Sequence, residues 1–211
     1  GKVLVLDNEL QPQELSHRIQ TVAGRLNVAR ATWETAIGYE ALRGRLKDVH
    51  ALARDLSGVP AGAFDLVILD ALYRALPKGT DENSNADMSG VYNVLDALAL
   101  RLDAALVVIH HSTKGSQSGK GIMDVGAGAG AIGRATDSHI ILREHEEPGA
   151  VVLDGKPRSF PPFNPRCYRW EFPLWIAATE LDPEDLKRAG GRGRRKQEHA
   201  KEDAAPKGPA A

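Results

Sequence analysis

Short runs of leucine and β-branched residues alternate along the first 110 positions with stretches whose apolar residues recur at helical spacing. Val3-Leu4-Val5-Leu6 reads as a buried strand. From about Pro12 to Leu26, Leu15, Ile19, Val22 and Leu26 form one stripe with Arg18 and Arg25 off it, which predicts an amphipathic helix whose first turn suits Pro12. A short strand is expected around Ile37 to Leu42, then a helix near Leu46 to Leu56 closed by Ser57-Gly58. Leu66-Val67-Ile68-Leu69 forms a second buried strand, ending in Asp70. Turn-forming residues 77 to 89 precede a helix from about Ala86 to Leu102 carrying Val91, Leu95, Leu98 and Leu102. A third strand spans 105 to 110 and ends in His110-His111.

Beyond it the pattern changes. Residues 112 to 130 are rich in glycine and serine and read as a loop. Ser138 to Leu142 and Ala150 to Leu153 read as strands joined by Glu146-Glu147-Pro148-Gly149, and Tyr168 to Phe172 alternates like an edge strand stopped by Pro173. From about Gly190 the composition turns to Gly, Arg, Lys, Ala and Pro, a tail expected to be disordered. The alternation of strands and helices predicts an α/β fold, a mostly parallel sheet covered by helices, with antiparallel edge strands near the C-terminus. The expected division is a core over 1–180, a short helix or linker over 181–189 and the tail over 190–211.

Composition narrows the class. The 211 residues carry 27 Lys+Arg against 28 Asp+Glu, so no global field draws the chain to nucleic acid or membrane, and any such contact must be local. The single Cys167 forms no internal disulfide and is expected to pack as a small side chain. No apolar run approaches the roughly 18 residues of a membrane span, and no signal peptide is visible. A soluble, cytoplasmic protein is expected.

Asp70 closes an apolar strand, and the carboxyl ends of parallel strands are where open α/β sheets place ligands. A carboxylate there either orients a water of Mg²⁺ or caps the next turn. Glu9, after Asp7-Asn8, sits likewise beyond the first strand: it either polarises a water for attack on a γ-phosphate or is an ordinary first-turn acid. His110 and His111 read as nucleotide-state sensor, as metal ligands, or as polar strand ends. Adjacent strand residues face opposite ways, so at most one of them points at a given site. Gly115-Ser116-Gln117-Ser118-Gly119-Lys120-Gly121 imitates a phosphate-binding loop, but its glycines are one residue too close and Gly121 stands where Ser or Thr would hold Mg²⁺. With Lys114 and Lys120, this loop either meets the phosphates of single-stranded nucleic acid or is simply solvated. Arg134 is either an arginine finger or the i,i+3 partner of Asp137.

Taken in order, VLVLDNE at 3 to 9, DLVILDALYRAL at 65 to 76, DENSNADM at 81 to 88, VVIHHSTKG at 107 to 115 and GAGAIGRATDSHIIL at 128 to 142 resemble the RecA-like ATPases of the plasmid RepA hexameric-helicase type. The resemblance covers about residues 1 to 180, and it is the ordered set rather than any one motif that carries it. It implies a RecA-like fold, ATP and Mg²⁺ as cofactors, single-stranded DNA as partner and a homo-oligomeric ring, a hexamer in that family. It assigns water activation to Glu9, Mg²⁺ to Asp70, nucleotide sensing to His110 or His111, and DNA contact to the loop after them. An arginine finger is expected from the segment beyond, with Arg134 and Arg143 as candidates.

The loop G-x-x-x-x-G-K-[ST] appears nowhere in the 211 residues, although in that family a strand and helix bearing it precede the equivalent of residue 1. Gly1 directly before a core strand therefore suggests an ATPase piece without its first strand and helix, one that binds ATP poorly alone. Two rivals stand beside it: a degenerate, non-catalytic module for DNA or subunit binding, and a metal-dependent phosphoesterase built from Asp7, Glu9, Asp70 and a histidine.

Overall fold

The computed structural model describes residues 1–111 and 129–187. Four parallel strands, β1 (Val3–Asp7), β2 (Ile37–Ala41), β3 (Leu66–Asp70) and β4 (Ala105–Val108), form a sheet in the order β2-β1-β3-β4. Between them run α1 (Pro12–Arg25), α2 (Arg30–Ala36), α3 (Val49–Asp55) and α4 (Asn85–Leu102). After α5 (Ala129–Ala135), the strands β5 (Ser138–Glu144), β6 (Ala150–Pro157), β7 (Arg166–Glu171) and β8 (Leu174–Ala177) make a second sheet, antiparallel, in chain order.

The strands exist where the apolar runs stand because each buries both faces of a parallel sheet. On one face Leu6, Val67 and Leu69 meet Val49 and Leu52 of α3 and the α4 stripe Met88, Val91, Leu95, Leu98 and Leu102. That stripe recurs at three- and four-residue steps, so one side of α4 is wholly apolar. Ser84 caps the helix by accepting from the Asp87 N–H, and Asp103, in left-handed conformation (φ 49°), ends it. Asp48 caps α3 in the same way, through the Ala51 N–H at 2.8 Å. Arg101 in the last turn of α4 donates to the carbonyls of Leu56, Ser57 and Val59, tying the end of α3 and its short 3-10 continuation to α4.

Several boundaries differ from expectation. The helix expected from Leu46 begins only at Val49, because Asp48 takes the capping position. The strand expected over 105 to 110 ends at Val108, although the Ile109 N–H still donates to the Leu69 carbonyl. α2 buries none of its side chains and so leaves no apolar period to read. α5 falls partly in the stretch read as a glycine-rich loop; it packs against α4 and places Ala131 in the main core. Residues 181–187 form turns and one isolated bridge, His145 to Leu186, rather than a helix.

The antiparallel strands are not edges of the parallel sheet: β4 ends one sheet and β5 begins the other. One face of the second sheet packs Val152 and Cys167 against Ala178, Leu181 and Leu186, so Cys167 is a small buried side chain. Ile140, Leu142, Trp170 and Trp175 share the opposite face and are exposed. No helix among the described residues is long and apolar enough to cross a membrane.

Candidate active site

The parallel register sets Asp7 opposite Asp70, both last in their strands. Side chains alternate along a strand, so these two share the face away from Leu6 and Leu69, the α1 side of the sheet. Asp7 is buried, and its Oδ1 accepts the N–H groups of Glu9 and Leu10 at 2.8 and 2.7 Å. This local turn swings the chain off the sheet and sets Glu9 at its carboxyl edge. Between them Asn8 is fully buried; its N–H donates to the Asp70 carbonyl at 2.5 Å and its Nδ2 to the Ala71 carbonyl at 3.2 Å. The ends of β1 and β3 are thereby stitched together.

Three further groups close on Glu9. Arg43 donates to its carbonyl at 2.9 Å, and Tyr73 donates its hydroxyl to Oε1 at 2.8 Å. His111 places Nε2 3.6 Å from the same oxygen, and its ring meets the Tyr73 ring edge-on at 5.4 Å. The short 3-10 turn bearing Tyr73 is itself anchored, for the Leu72 N–H donates to the Ile109 carbonyl at 2.9 Å and Arg74 to the Asn8 carbonyl at 2.8 Å. The edge of the sheet is thus one connected network drawn from β1, β3 and the end of β4.

The two histidines divide. His111 turns to Glu9, whereas His110 bonds through Nδ1 to the His111 carbonyl and lies near enough to His139 on β5 to help lower that imidazole's pKa, after burial. Arg134 is exposed in the last turn of α5, and its carbonyl accepts from Arg158. Asp137 pairs with Arg158 at 3.4 Å, not with Arg134: the turn between α5 and β5 breaks the helical spacing that an i,i+3 pair requires. Arg143 sits within β5. Lys114 and Lys120 lie outside the described residues. Tyr73 is the site residue that sequence reasoning passed over; its signal was an aromatic residue three positions past a strand-ending aspartate.

Electrostatics give the edge its character. Burial raises the Asp70 pKa first, and the charges of Asp7 and Glu9 raise it further, against a smaller lowering by His111 and Arg18. Carboxylates that resist one another in this way suit a cation. No group of three His, Cys, Asp or Glu side chains able to hold a metal ion occurs among the described residues, so an ion here would take most of its ligands from water or substrate oxygens. That is the habit of Mg²⁺, and Asp70 is the residue placed to hold one of its waters.

A parallel sheet with its acids gathered on the carboxyl edge, continued by an antiparallel sheet, is the RecA-like α/β architecture. The same fold is found in the crystal structure of the RadB recombinase, at TM-score 0.54 and 16% identity over 89% of this chain and 79% of that one. It is found again in the solved ATPase domain of a helicase, at TM-score 0.61 and 14% identity over 84% of this chain and 74% of that one. Residues 1–117, more than half of the chain, match the family model of the AAA domain, and the chain belongs to that family. No curated protein matches it.

Proposed function

We propose that this chain carries the water-activating and metal-orienting half of an ATP-hydrolysing motor that acts on DNA. One observation carries the reading: Glu9 and Asp70 stand beyond the carboxyl ends of adjacent parallel strands, locked there by Asn8 and Asp7. In this reading Glu9 takes a proton from the attacking water, and Asp70 orients a water on Mg²⁺. Mg²⁺, when bound, supplies charge to the phosphate oxygens. His111 touches the Glu9 carboxylate and so reports its state to the segment that follows. Arg134 and Arg143 remain the candidates for a finger reaching a neighbouring subunit.

The phosphate cradle is the missing half. The motif for it does not occur in these residues, and the fold leaves a place for it: β4 and β5 each pair on one side only. His110 at the end of β4 and His139 on β5 influence one another electrostatically, so the two open edges converge at that end. A single strand between them would join both sheets and bring its following loop to the edge that holds Glu9 and Asp70. We assign the cradle to such a strand, supplied from outside these 211 residues.

At the finer level the reading is a helicase-type motor of the RepA kind, working as a homo-oligomeric ring, a hexamer, on single-stranded DNA and in the cytoplasm. Residues 1–180 would be its ATPase core, with Lys114 and Lys120 meeting DNA phosphates from several subunits at once. The test is ATP turnover by the 211-residue chain alone and by the chain extended through a segment carrying G-x-x-x-x-G-K-[ST]. Turnover is expected in the extended protein only, and lost in Glu9→Gln and Asp70→Ala. Substantial turnover by the chain alone overturns the missing-cradle reading. An extended protein that binds DNA yet never hydrolyses ATP makes it a binding module instead.

A further inference from the structure

The Tyr73 hydroxyl is an unexplained group at this edge. We infer that Tyr73 is a positioning residue for Glu9, holding the carboxylate by Oε1 so that Oε2 faces the water to be activated. The inference rests on the reading of Glu9 as the base.

Two half-exposed side chains in contact on a protein surface usually carry no role, since each loses conformational freedom to meet the other. Here both backbones are held before the side chains meet. Glu9 is fixed through its N–H by Asp7 (2.8 Å) and through its carbonyl by Arg43 (2.9 Å). Tyr73 follows Leu72, which is 1% exposed and bonded to Ile109, and precedes Arg74, which is bonded to the Asn8 carbonyl. The phenol and the carboxylate are therefore brought together by the fold, and the 2.8 Å bond costs little further ordering.

Geometry also decides which oxygen remains. Both contacts of the Glu9 carboxylate, with Tyr73 and with His111, fall on Oε1. Oε2 makes none among the described residues. A phenol that donates to one oxygen fixes the carboxylate's rotation and supports its charge, while leaving the other oxygen its lone pairs. In the reaction the water proton passes to Oε2 as the water oxygen bonds the γ-phosphorus and the β,γ-bridging oxygen departs with ADP; the Tyr73 proton stays on the phenol. The charged groups facing Tyr73 are Glu9, Arg74 and Asp70, with His111 against its ring. Its own pKa is raised, first by the bond to Glu9.

The test separates this role from the one beneath it. Tyr73→Phe keeps the ring against His111 and deletes the hydroxyl alone. In the extended, ATP-hydrolysing protein it should lower kcat about tenfold with KM for ATP unchanged, the mark of an interaction used in the transition state. In the 211-residue chain, ¹³C NMR of the tyrosine ring carbons should show the Tyr73 titration falling toward the ordinary phenol range in Glu9→Gln, with Tyr39, Tyr92 and Tyr168 unmoved. Unchanged kcat in Tyr73→Phe, or a Tyr73 titration indifferent to Glu9→Gln, overturns the positioning role. Full turnover in Glu9→Gln would instead remove the base itself, and it is read in a different variant.

Discussion

Asp7 and Asp70 face each other across adjacent parallel strands, one satisfied by two backbone N–H groups and the other left to titrate in a half-buried, negatively charged setting. The asymmetry gives the site a built-in cost. Asp70 holds its proton more tightly when folded than when unfolded, so the folded state binds more protons between the ordinary carboxylate pKa and the raised one. Stability therefore falls as pH rises through that window and stays lowered above it.

Asp70→Asn should accordingly raise the Tm at neutral pH. The gain should vanish below the ordinary carboxylate range, where both chains carry a neutral side chain at this position. Thermal melts of the two chains across pH check it; a gain that persists in acid would show that burial and charge at Asp70 are not its source.

Arg101 should matter more than its place on a helix surface suggests. Its guanidinium serves three carbonyls at the end of α3, so Arg101→Met keeps much of the stem's packing but leaves those acceptors without their donor. A loss of about 1–3 kcal/mol is expected in urea unfolding, in the range for hydrogen bonds to a charged group.

Gly155 tests the second sheet. A Cβ there would stand 2.3 Å from Cζ of Phe163 and 3.2 Å from the His139 carbonyl. Gly155→Ala must displace the Phe163 ring, at about 1–3 kcal/mol. In a double-mutant cycle with Phe163→Ala the two changes should be strongly non-additive, because removing the ring first removes most of the clash.

The parallel sheet was legible because burial on both faces demands uninterrupted apolar runs, and VLVL, LVIL and LVVI supply them. Glu9 and Asp70 were legible for the same reason: where such a run ends in an acid, topology dictates the edge on which it stands. The register between them, and Asn8 as the stitch, depend on the pairing of residues far apart in the chain, which periodicity does not contain. α2 hides because an exposed helix has no apolar stripe, and α5 because alanine and glycine give none. β8 follows Pro173 so closely that the proline reads as the end of the sheet rather than as the turn of a hairpin.

The open side of β4 has a consequence for the protein's behaviour in bulk. Ala104 to Ile109 is six apolar residues in succession, without a charge or a proline, and Val107 is 46% exposed. Sheet edges that persist in solution ordinarily carry a lysine, a proline or a bulge to discourage annealing with a stranger. This one carries none of them, and an identical edge on another molecule is a ready match. The chain should therefore remain monodisperse only while dilute, and whatever covers β4 in the working protein also keeps it from aggregating.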